Sequence, residues 1–174
     1  MDIAHSSLVG GFCAVSLAAL ALTGCPSREM ADGPAPGAAR KAASAEVWTD
    51  DIDGAFKLSS ESGRPVFIDF TGSDWCGWCK LADRNIFSTP EWAEFASEVV
   101  CLKVDFPRQG RPDALTMKKR EELLKAFGVE GFPTLVLATA DRKELARFIA
   151  GRKSASVFIA EVRKALPAAT RQTM

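Results

Sequence analysis

Apolar and polar positions change period along the chain, and each change marks an element. Thr49 and the acids after it read as a helix start, and Ile52, Ala55, Phe56 and Ser59 recur at helical spacing until Gly63 and Pro65 stop the run. Val66 to Phe70 (VFIDF) is a nearly continuous β-branched and aromatic run, the pattern of a strand covered on both faces. Asp69 is its one discordant member, and a charge in such a place needs a chemical reason. Residues 76 to 88 and 90 to 97 read as helix interrupted at Pro90, and Val99 to Asp105 as a second buried strand. Pro112, at a first helical position, opens a helix carried by Leu115, Leu123, Leu124 and Phe127 and ended by Gly128. Thr134 to Thr139 and Glu144 to Ala150 are strands joined by the turn at 140–143, an antiparallel hairpin. A last helix, Ser154 to Leu166, puts Val157, Phe158, Val162 and Leu166 on one face and stops at Pro167. The order α-β-α-β-α-β-β-α predicts an α/β domain: a central mixed β-sheet flanked by helices.

Ahead of this domain the pattern differs. Leu8 to Leu22 is uncharged but shorter than the roughly 20 residues a membrane-spanning helix needs, which suits the core of an export signal. Leu22-Thr23-Gly24-Cys25 resembles the lipobox of bacterial lipoproteins, and that resemblance implies cleavage before Cys25 and lipidation of it. The leader MDIAHSS lacks the positive charge usual in such signals, so a plain cleaved signal and an uncleaved anchor are the alternatives. The stretch that follows is rich in Pro, Gly and Ala without apolar period and reads as a flexible tether. The expected division is therefore signal 1–24, lipidated Cys25 and tether 25–46, folded domain 47–166, and a short tail 167–174. Acyl chains on Cys25 would hold the chain on a bacterial membrane, facing the periplasm or the cell exterior.

Composition narrows the chemistry. The chain has 174 residues, 47% of them apolar, and its 22 basic and 22 acidic residues leave no excess charge to condense on a phosphate backbone, which argues against nucleic acid as a partner. The single histidine, His5, lies in the leader, so imidazole catalysis and histidine metal ligation are excluded from the mature chain. Neither a Walker A motif nor a GxGxxG fingerprint is present, and no small-molecule cofactor is implied.

Of five cysteines, three fall in the folded domain: Cys76, Cys79 and Cys101. Cys76-Gly77-Trp78-Cys79 is a CxxC placed after a strand and turn, at a helix start. Unpaired amides and the helix dipole favour a thiolate at the first cysteine, and the second lies on the same helical face, within disulfide reach. A zinc or iron–sulfur site needs four ligands that the domain does not offer, and haem attachment needs a histidine where Lys80 stands. A structural disulfide would close too short a loop to stabilise much. Reversible redox chemistry is the reading that remains strongest, with Cys101 either an inert core residue or a third redox thiol.

Phe70-Thr71-Gly72-Ser73-Asp74-Trp75-Cys76-Gly77-Trp78-Cys79-Lys80, with Gly131-Phe132-Pro133-Thr134 some fifty residues on, resembles the thioredoxin family over about 47 to 166. The TGSDWCGWC variant is similar to that of exported thioredoxin-like disulfide reductases of chlamydia-related bacteria. The resemblance implies the thioredoxin fold and a thiol:disulfide oxidoreductase. It makes Cys76 the attacking thiol, Cys79 the resolving one, and Pro133 a cis-proline packed against the disulfide. Phe132 would present backbone for strand-like pairing with a client. Trp75, Gly77, Trp78, Phe132 and Thr134 would form the surface that clients meet. Asp69 would be the family's buried carboxylate, exchanging a proton with the resolving thiol, its pKa raised by burial. It lies seven residues before Cys76 where the family usually has six, so its reach depends on how Thr71 to Asp74 take up the extra residue. Aligned through Asp105, Cys101 takes the place of a lysine that in the family commonly pairs with the buried acid, here Asp69. The partners implied are client proteins with disulfides or thiols, met by a monomer, and a membrane electron donor. The expected direction is reduction, with oxidase or isomerase second and a non-catalytic redox sensor or adaptor third.

Overall fold

The structure, a computed structural model, describes residues 47–168. The export signal, Cys25, the tether and residues 169–174 lie outside the described residues.

A short strand β1 (Trp48–Thr49) precedes helix α1 (Ile52–Ser62), which buries Ile52, Ala55, Phe56 and Ser59 and ends where Gly63 turns to φ 71° and donates back to the Ser59 carbonyl. Only a residue without Cβ adopts that turn freely. Strand β2 (Val66–Thr71) is buried throughout. Helix α2 (Gly77–Ala82) runs into a π-helical turn (Asp83–Phe87), and Thr89 then caps α3 (Pro90–Phe95) by accepting from the Trp92 amide at 3.2 Å. Strand β3 (Val100–Asp105), helix α4 (Ala114–Ala126), the hairpin β4 (Thr134–Ala138) and β5 (Glu144–Phe148), and helix α5 (Ala155–Ala165) complete the domain.

The sheet order is β1-β3-β2-β4-β5. β1 and β2 run parallel to β3, while β4 is antiparallel to β2 and to β5. Side chains alternate across β2, so two cores form. Phe67 enters an aromatic cluster with Phe87, Trp92, Phe95 and Phe158 beneath α2, α3 and α5. Val66, Ile68 and Phe70 pack with Ile52, Phe56, Leu123 and Phe127 beneath α1 and α4. Both parallel strands β2 and β3 end, and β4 begins, at one edge of the sheet, which is where parallel sheets usually present their functional groups.

Four expectations need correction. The sheet has five strands, not four: β1 is two residues long and too short to show a period. Pro112 is not the first residue of α4. Asp113 caps that helix, accepting from the Leu115 and Thr116 amides, and Pro112 precedes the cap. Leu115 and Val157 are exposed, and α4 buries Met117, Arg120 and Leu123 instead. Finally, Cys101 does not stand beside Asp69. In the β2–β3 register Asp69 faces Lys103, and Cys101 faces Phe67 inside the aromatic cluster.

Candidate active site

At the functional edge, β2 gives way to a tight turn in which the amides of Trp75 and Cys76 both donate to the Gly72 carbonyl, at 3.2 and 2.8 Å. Gly72 is required there because a Cβ would come within 2.7 Å of three ring atoms of Trp75. The turn absorbs the extra residue and delivers Cys76 to the N-cap of α2, where its sulfur accepts from the Cys79 amide at 3.1 Å. Cys76 and Cys79 are joined as a disulfide with their Cα atoms 5.2 Å apart, both nearly covered by protein. The Phe132–Pro133 peptide is cis, and Thr134, which opens β4, donates its hydroxyl to the Gly131 carbonyl at 2.7 Å.

The loop between β3 and α4 is clasped to this turn at several points. Trp75 Nε1 donates to the Phe106 carbonyl at 2.9 Å, and the Trp75 ring meets Phe132 edge-on. Phe106 in turn stacks on Phe132. The Asp74 carboxylate accepts the amides of Arg108 and Gln109, at 3.0 and 2.8 Å, which holds it below the usual carboxylate range. Ser73 donates from its amide and its hydroxyl to Asp105. Gly77 and Trp78 face outward, and Trp78 is 55% exposed.

Behind the disulfide lies a cavity of about 780 Å3, whose lining includes Cys79, Asp69, Asp83, Lys103 and Asp105. The seven-residue spacing therefore leaves Asp69 on the same cavity as the second cysteine. Asp69 is buried, and its Oδ1 has no hydrogen-bond partner. Desolvation pushes its pKa up to about 7; Lys103 opposes the rise, and the charges of Asp83 and Asp105 add to it. Lys103 Nζ lies 3.7 Å from Asp83. Single-strand pattern did not reveal Lys103 or Asp83, although each carries a faint signal: Lys103 is two residues from Asp105 on the same strand face, and Asp83 is four residues after Cys79 on one helical face. Cys101 sits elsewhere in the core, where burial pushes its thiol up to about 12. Among the described residues no cluster of three or more potential ligands is placed to hold a metal ion, and the redox group is the disulfide itself.

The family model for the Thioredoxin-like domain matches residues 52–166. The chain belongs to the thioredoxin-like family. It is 31% identical to the disulfide bond reductase DsbH of Chlamydia pneumoniae over 84% of this chain and 89% of that protein. It is 30% identical to the thiol:disulfide interchange protein DsbD of Ralstonia nicotianae over 67% of this chain, but this match spans 18% of that larger protein. The fold superposes on a solved DsbH oxidoreductase with a TM-score of 0.64 and 31% identity, over 68% of this chain and 82% of that one. A thioredoxin from Thermus thermophilus shares the fold, with a TM-score of 0.51 and 21% identity over 67% of this chain and 84% of that one. With its CxxC joined as a disulfide on this fold, the thioredoxin-like chain is a thiol:disulfide oxidoreductase.

Proposed function

We propose that this oxidoreductase is tethered to a bacterial membrane through lipid on Cys25, faces the periplasm or the cell exterior, and reduces disulfides of exported proteins. The observation that carries the thiol-exchange part of the reading is the Cys76–Cys79 pair itself, with the exposed Trp75 and Trp78 beside it and Cys79 lining the cavity that also holds Asp69, whose carboxyl burial pushes up to about 7. The name of its chlamydial relative, a disulfide bond reductase, supports the direction.

In the reduced protein the Cys76 thiolate attacks one sulfur of a client disulfide, and the Cys79 amide that already points at Cys76 Sγ steadies the charge. The client bond breaks, its first sulfur leaves as a thiolate and takes a proton, and a mixed disulfide remains. Cys79 then passes its proton to Asp69 and attacks Cys76 Sγ, so the second client sulfur leaves and the protein disulfide closes. Two electrons have moved to the client. A membrane-bound dithiol donor returns them, and the proton on Asp69 leaves through the cavity. Trp75, Gly77, Trp78, Phe132, Pro133 and Thr134 form the rim that receives extended polypeptide. The protein works as a monomer.

The redox potential of the pair against glutathione buffers tests the direction. A reductase should sit toward the thioredoxin end of the scale, at about −270 mV, and a value near −120 mV would make the protein an oxidase. Insulin reduction should proceed with the natural chain and stop with Cys76→Ser. Palmitate labelling in the host should mark the full chain and be lost in Cys25→Ala; labelling that survives the substitution would remove the tether.

A further inference from the structure

Two guanidinium groups lie over the two indoles that flank the disulfide. Arg108, from the β3–α4 loop, has its guanidinium carbon 4.5 Å from the centre of the Trp75 ring. Arg152, from the turn between β5 and α5, lies 5.9 Å from the centre of the Trp78 ring. They come from separate segments of the chain, and both are exposed. Neither has a carboxylate within ion-pair distance among the described residues. The acid nearest Arg108 in the loop contacts, Asp74, spends its oxygens on the amides of Arg108 and Gln109. Lys80 adds a third cation to the turn, its ammonium donating to the Asp74 carbonyl at 2.7 Å.

The loop that carries Arg108 is held in place. The Phe106 carbonyl is fixed by Trp75 Nε1, the Phe106 ring by Phe132, and the next backbone amides by Asp74. A guanidinium lying over an aromatic ring keeps its N–H edges free, and those edges match a carboxylate in a fork. The chain as a whole has no net charge, so attraction at this rim is local and not a property of the overall field.

We infer that the rim selects client segments bearing Asp or Glu beside their disulfide, Arg108 and Arg152 taking the carboxylates while Trp75 and Trp78 take the neighbouring apolar groups. This rests on the reading of the chain as a thiol-exchange catalyst for protein clients. The partner is thus an extended, acidic disulfide-bearing polypeptide.

Three synthetic peptides with one disulfide each, identical except for Glu, Gln or Lys flanking the cysteines, provide the probe. The full chain is pre-reduced in detergent and mixed with each, and the exchange is followed by tryptophan fluorescence in a single turnover. The Glu peptide should react about tenfold faster than the Gln peptide at low salt, the Lys peptide slowest, with the spread shrinking at about 1 M salt. Arg108→Gln combined with Arg152→Gln should bring the Glu and Gln rates together, whereas Lys143→Gln, at the far end of the β4–β5 hairpin, should leave the preference intact. Equal Glu and Gln rates in the natural chain, or a preference that survives the double substitution, overturns the inference while exchange itself stands. No exchange with any peptide overturns the catalytic reading, and the inference with it.

Discussion

Two neighbouring rungs of the same strand pair have opposite characters. Phe67 faces Cys101 and, two residues on, Asp69 faces Lys103, on the same side of the sheet and about 7 Å further along the strands. The first rung is closed in by Phe87, Trp92 and Phe158, and the thiol it holds is pushed up to about 12. The second opens on the cavity behind the disulfide, and its carboxyl is pushed up to about 7. Burial acts in the same sense on both groups, disfavouring the ion. The difference is what surrounds them: Cys101 is packed among aromatic rings, where the charges of Arg64 and Lys103 offset only part of its burial, whereas Asp69 shares its space with Lys103, Asp83 and Asp105. A cysteine and an acid in one sheet are thus both pushed toward their neutral forms, the thiol up to about 12 and the carboxyl up to about 7.

The comparison is broken most severely at the first rung. Phe67 touches five aromatic rings, and Phe67→Ala should cost about 3–5 kcal/mol of unfolding free energy, read from urea denaturation, while the redox potential of the disulfide hardly moves. A large change in potential would mean that the two rungs are not separable.

Asp69→Asn acts on pH dependence. The folded pKa of Asp69, about 7, lies above its unfolded value near 4, so between these values the folded state binds the extra proton and stability falls as pH rises. Each unit of separation is worth about 1.4 kcal/mol, and the loss is complete above pH 7. The oxidised Asn variant should therefore gain on the natural protein by a few kcal/mol from pH 4 to pH 8, measured as the difference between two urea series. Its exchange rate should also lose the rise through pH 7 that an ionising proton acceptor provides. Two parallel pH series would remove Asp69 from the mechanism.

Charge around Asp69 provides a finer adjustment. Lys103 lowers the carboxyl and Asp83 raises it, so Lys103→Met should move the inflection of the pH–rate profile upward and Asp83→Asn should move it downward. A profile that shifts in one direction for both substitutions would show that the two side chains act through structure and not through charge.

The second rung also shows how far the amino-acid sequence could be read. Asp69 announced itself as a charge in an apolar run, CxxC and Gly-Phe-Pro-Thr carried their own spacing, and the element order followed from changes of period. All of these are local signals. Lys103 was missed because the partner of a strand residue is set by register between strands, which neither strand displays alone. β1 leaves no trace in the pattern because two residues have no period, and Pro112 and Asp113 are both good helix-start residues that only the cap hydrogen bonds tell apart. The clasp of Asp74 on the amides of residues 108 and 109 joins segments more than thirty residues apart, and no pattern within either segment encodes it.

The smallest effect expected concerns Cys101. This residue is 3% exposed and faces Phe67, and burial pushes its thiol pKa up to about 12, so hardly any thiolate is present to react at ordinary pH. In the native, fully reduced chain at pH 8, iodoacetamide should modify Cys76 rapidly and leave Cys101 untouched, with mass spectrometry of the digested protein as the readout. Cys101→Ala should leave the exchange rate of the Cys76–Cys79 pair unchanged and lower stability by about 1 kcal/mol, the modest cost of removing one small buried group. The measurement bears on the comparison because it asks whether the closed rung stays closed once the disulfide two elements away is opened. Native alkylation of Cys101 at a rate near that of Cys76 would show that reduction loosens the aromatic cluster, and the two rungs would then form one redox-coupled unit.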